Sequence, residues 1–62
     1  MFIKVTGFTG DKFLVNTDNI YCVVEHEGEV EIIYTDDSQF PINESLDEIE
    51  RMLKGVDNGS ND

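Results

Sequence analysis

His26 stands among Glu25, Glu27 and Glu29, and imidazole with carboxylate is a donor set that suits a borderline divalent cation. A catalytic or structural zinc takes three or four protein ligands, however, and no Cys/His pair stands at ligand spacing. The plainer reading is an exposed histidine at a hairpin tip. Cys22, the single cysteine, lies in the apolar run Ile20-Tyr21-Cys22-Val23-Val24 and reads as a small buried hydrophobe rather than a reactive thiol. One histidine offers no nucleophile pairing, and Gly7 and Gly10 lack the following helix that a phosphate cradle needs. These residue types therefore predict no catalytic residue, no metal site and no cofactor. Asn43-Glu44-Ser45 and Asn58-Gly59-Ser60 match a glycosylation sequon, but without a secretory leader they read as chance matches.

The denser chemistry is acidic. Glu25, Glu27, Glu29 and Glu31, with Asp36 and Asp37, crowd one stretch of a chain that carries 14 acidic against 4 basic residues, a formal charge of −10 over 62 residues. Such a surface suits a basic protein groove or imitates nucleic acid, and its plain alternative is a solvated face that protects a sheet edge. Direct binding to DNA, RNA or an anionic membrane is disfavoured, since each needs cations that this chain lacks. No basic-then-apolar leader and no run of about 18 apolar residues is present, so a soluble, cytoplasmic protein is expected.

The elements that must position these residues follow from periodicity. Ile3 and Val5 alternate with Lys4 and Thr6 as in a half-buried strand, Gly7 to Asp11 turns, and Lys12 to Asn16 completes a hairpin. Thr17-Asp18-Asn19 is a polar break. Ile20 to His26 and Glu29 to Thr35 form a second hairpin about Glu27-Gly28, and Asp36-Asp37-Ser38 turns into a short strand, Gln39 to Ile42, which Pro41 confines to an edge. Leu46, Ile49, Met52 and Leu53 then make one apolar helical stripe. Ser45 and Glu48 form a capping box, Asp47–Arg51 and Glu50–Lys54 are spaced i,i+4, and Gly55 is the stop. The expected fold is α+β, a mainly antiparallel sheet of about five strands, open, curled or barrel-like, with one C-terminal helix. Residues 1–55 make one domain and residues 56–62 a polar tail.

A two-residue turn at Glu27-Gly28 places opposite residues of the second hairpin in pairs. Tyr21, Val23, Glu25, Val30, Ile32 and Tyr34 then share one face, with Tyr21 opposite Tyr34. Ile20, Cys22, Val24, His26, Glu29, Glu31 and Ile33 share the other. Both faces are apolar and one helix covers only one of them, so Ile20, Cys22, Val24 and Ile33 are the expected oligomer or partner face. A bulge would exchange the membership.

The runs Lys12 to Ile20, Val24-Glu25 and Phe40 to Ile49, with Ile3 to Thr6 and Gly10 to Lys12, resemble the small FlbD-like family of flagellar and swarming proteins over residues 2 to 54. The same stretch is similar to half of a LytTR-type DNA-binding domain, without that domain's basic loop residues. The resemblance implies a small sheet with one C-terminal helix, found in bacteria and their phages. It implies no enzyme, and no site residue transfers with it. The function expected from size, charge and the two-sided sheet is a non-enzymatic interaction or regulatory module that self-associates and binds a protein partner. The alternatives are a phage-type acidic inhibitor or an oligomer that sequesters a small ligand. A small enzyme is disfavoured, because a useful pocket takes about 300 Å³ or more with convergent polar groups, which so short a chain is expected to supply only at a subunit junction.

Overall fold

Alternating Ile and Val residues in a short chain need a second layer to bury them, and the chain supplies two. A computed structural model describes residues 1–55. The order is β1 (Phe2–Thr6), β2 (Lys12–Asn16), a 3-10 turn (Thr17–Asn19), β3 (Ile20–His26), β4 (Glu29–Tyr34), β5 (Gln39–Ile42) and α1 (Leu46–Lys54). The expected tail, Val56 to Asp62, lies outside the described residues. The fold is α+β and antiparallel throughout, but the strands divide into a β1-β2 hairpin and a β3-β4-β5 sheet, and neither closes into a barrel.

The core is made by Ile3, Val5 and Val15 of the first hairpin, Val30, Ile32 and Ile42 of the sheet, and Ile49 of α1. Both strand pairs put alternate residues inside, which is the period-two pattern of the sequence. Among the described residues the backbones of the two sheets join at one place. Gly7 bridges to Ile42, and the Asn43 N–H donates to the Thr6 carbonyl at 2.9 Å. Gly7 leaves room there for the Phe13 ring: a Cβ would come within 2.8 Å of it and force it to shift from its edge-on contact with Phe40, whose ring centroid lies 5.0 Å away.

The β3–β4 turn has φ of 53° at Glu27 and 85° at Gly28, the doubly positive geometry of a type I′ hairpin. It sets the expected register from His26↔Glu29 to Cys22↔Ile33. Beyond Cys22 the register shifts, and this corrects the sequence-based faces. Ile20, not Tyr21, pairs with Tyr34. Ile20 and Tyr34 pack on the core, while Tyr21 is expelled to 77% exposure. The bulge lets two large apolar side chains reach the core at the end of a strand that would otherwise turn one of them away.

The helix begins as its capping box requires: Ser45 Oγ accepts from the Glu48 N–H at 3.1 Å, and the Ser45 N–H donates to Glu48 Oε1 at 2.8 Å. Gly55 ends it in the left-handed region. Glu50 and Lys54 pair at 3.0 Å; Asp47 and Arg51, the other i,i+4 pair, form no ion pair. Of the apolar stripe, Ile49 is buried and Met52 half-buried, but Leu46 and Leu53 remain exposed.

Candidate interaction surfaces

Cross-strand rows set the outer face of the three-stranded sheet. Cys22, Ile33 and Gln39 form one row, and Val24, Glu31 and Pro41 the next. Cys22, Val24 and Ile33 therefore stand together as expected, with Cys22 and Ile33 half-buried and Val24 exposed. Ile20 does not join them. The bulge takes it to the other side, so the apolar centre of this face is narrower than the sequence suggested.

The six acidic residues do not form one patch. Glu25, Glu27, Glu29 and Glu31 lie at or beside the β3–β4 turn, whereas Asp36 and Asp37 lie at the β4–β5 turn. These turns are at opposite ends of the six-residue β4, about 17 Å apart. Asp36 moreover serves its own turn. It accepts from the Ser38 hydroxyl at 2.6 Å and the Ser38 N–H at 3.0 Å, and these bonds hold its carboxyl below the usual range. Tyr34 nearby has its phenol pushed up by burial and then by the Asp36 charge. His26 is exposed beside the β3–β4 turn, 3.8 Å from the Glu27 carboxylate, and among the described residues no three His, Cys, Asp or Glu side chains gather to hold a metal.

Three features escaped the sequence reading. The first is a groove of about 600 Å³ at the β3–β4 turn end, where Glu25, Glu29, Glu44 and Glu48 ring an apolar floor that includes Val30, with exposed Phe8 at its rim. Glu48 is drawn there by the helix cap and Glu44 by a clasp on Thr6. Glu44 accepts from the Thr6 N–H and the Thr6 hydroxyl, each at 2.8 Å, and Lys12 Nζ donates to that hydroxyl at 2.9 Å. Burial alone would raise the Glu44 carboxyl, but the two Thr6 bonds, with Lys12 nearby, take it below its ordinary value. The alternation of Ile3 and Val5 marks β1, yet nothing local in the sequence joins Thr6 to a residue 38 positions away.

The second feature is a groove of about 420 Å³ between α1 and β3, lined by Ile20, Tyr21, Cys22 and Val23 on one side and by Leu46, Ile49 and Leu53 on the other. The third is the outer side of the first hairpin. Phe2 and Leu14 lie exposed there on diagonal positions, with Lys4 opposite Leu14. Among the described residues no helix is long and apolar enough to cross a membrane. The class these features define is a small α+β domain whose distinctive chemistry lies in exposed apolar and acidic surfaces. No family model, curated protein or solved structure matches the chain.

Proposed function

We propose that this protein is a non-enzymatic interaction module that self-associates and engages a protein partner presenting Lys or Arg side chains. The observation that carries the reading is the amount of large apolar side chain left in water by so short a chain: Phe2, Phe8, Leu14, Tyr21, Leu46 and Leu53 are all exposed. A domain of this size removes only about 60% of its unfolded surface from water, so leaving such residues outside weakens it unless a second surface covers them. The acidic groove at the β3–β4 turn supports the partner's chemistry. Its carboxylates attract cations over a range set by salt, and the exposed Phe8 ring offers a contact for an aliphatic stem or an aromatic ring.

Two measurements test the reading. Light scattering on the wild type reads the mass, and a single-copy mass across accessible concentrations overturns self-association. Titration with a lysine-rich peptide reads the partner site. Binding should weaken steeply with salt, weaken with Glu25→Gln and Glu29→Gln, and weaken also with Phe8→Ala, which leaves the charge unchanged. Insensitivity to Phe8→Ala would reduce the groove to a generic acidic surface and favour the acidic-mimic alternative.

A further inference from the structure

β3 is an edge strand of the three-stranded sheet. Seven residues long, it pairs with β4 on one side, and among the described residues no backbone hydrogen bond ties its other side to a neighbouring strand. Edge strands carry a row of unpaired N–H and C=O groups and are usually blunted by short length, proline, charged side chains, bulges or a cover. β3 has neither proline nor lysine; its bulge at Tyr21 and its charge at Glu25 stand toward its two ends, and Cys22, Val23 and Val24 between them carry no such device. Beside it α1 presents Leu46 and Leu53, 36% and 43% exposed, and together with Tyr21 they extend the open strand into an apolar strip.

Resting on the self-association just argued, we infer that β3 pairs antiparallel with β3 of a second copy about a two-fold axis, giving one continuous six-stranded sheet. Three observations favour a second copy as the occupant. An antiparallel edge is its own complement under a two-fold axis, so every open group meets its counterpart. The charges also allow it: with the axis at Cys22, Val23 or Val24, Glu25 faces Asn19, Tyr21 or Val23, and never its own copy. Among the described residues the one charged side chain lining the helix groove, Glu50, is already paired with Lys54 at 3.0 Å. Finally, the sheet's other edge is closed. β5 carries Pro41, which has no N–H, and its end is tied to the first hairpin through Gly7 and Thr6. Pairing through β3 therefore leaves the sheet no second open edge, and assembly stops at two.

The test is amide hydrogen exchange along β3, read beside absolute mass as the wild type is diluted. Edge pairing predicts a two-copy mass and alternate β3 amides that exchange at least about tenfold more slowly in the dimer than on dilution. Tyr21→Asp and Leu53→Asp, both at exposed positions, should each return the mass to one copy with the far-ultraviolet dichroism retained, while Phe2→Asp on the first hairpin should leave the dimer intact. A dimer whose β3 amides stay fast, or one that survives both edge variants but not Phe2→Asp, overturns the edge assignment and leaves self-association standing. A monomer at every concentration overturns both. Should either edge variant fail to fold, the wild-type exchange pattern decides alone.

Discussion

The two edges of the three-stranded sheet receive opposite treatment. β5 is four residues long, contains Pro41 and is sealed at its end by Gly7, Asn43 and the Glu44 clasp on Thr6. β3 is seven residues long and, among the described residues, open. A chain of 62 residues thus uses its long-range polar contacts to close one edge and join its two hairpins, and leaves apolar residues beside the other. Stability should accordingly be concentrated at the β5 side and association at the β3 side, a division that point substitutions can break.

The largest expected effect is at Ile42, which is buried at the seam where the β5 edge meets the first hairpin. Ile42→Ala should cost about 2–4 kcal/mol in denaturant unfolding, whereas Tyr21→Ala on the open edge should stay within about 0.5 kcal/mol when measured on the monomer. Equal losses at the two positions would erase the distinction. Next comes Gly7→Ala. The added methyl must displace Phe13 from its contact with Phe40, and overpacking of this kind costs about 1–3 kcal/mol. A neutral result would mean that the ring moves aside freely and the seam is looser than its distances imply.

A smaller effect is expected from the clasp. Removing both acceptors with Glu44→Ala should cost about 1 kcal/mol, a modest figure because the carboxylate is partly exposed and screened. Its pH dependence has a definite sign. The folded-state carboxyl is held below its unfolded value, so its contribution is complete above the unfolded value and disappears as pH falls through the folded one. Stability should therefore fall less between about pH 5 and pH 3 in Glu44→Gln than in the wild type. Parallel curves for the two proteins would show that the Thr6 bonds do not distinguish the ionised group from the neutral one.

What the sequence discloses and what it hides divides by range. The β-branched alternation of Ile3 and Val5, the Glu27-Gly28 turn and the Ser45–Glu48 box are local signals, and each produces its element where expected. The bulge at Tyr21 is not local, because it answers the demand of the core for both Ile20 and Tyr34, and so Ile20 leaves the outer face that Cys22, Val24 and Ile33 share. The separation of Asp36 and Asp37 from the glutamates is hidden for a related reason: a six-residue strand is short in sequence but long in space. Leu46 and Leu53 read as core in a helical stripe, yet α1 packs beside β3 with Ile49 inward and leaves them at the rim.

The smallest effect concerns the turn that sets the open edge in register. Glu27 holds φ of 53°, a left-handed conformation that costs a side chain such as Glu more than it costs Asn. Asn at the first position and Gly at the second is the preferred pairing for this turn, and Gly28 already fills the second. Glu27→Asn should stabilise the fold by about 0.5 kcal/mol, and more if the removed charge also relieves repulsion from Glu25 and Glu29. Salt separates the two causes. A gain that persists at high ionic strength belongs to the backbone, and one that vanishes belongs to the crowded carboxylates. A backbone gain would mean that β3 and β4 are held in register against a strained turn, so that, on the edge pairing proposed, Glu27→Asn should also steady β3 and raise the average mass in solution at a given concentration. A purely electrostatic gain should leave the edge as it is.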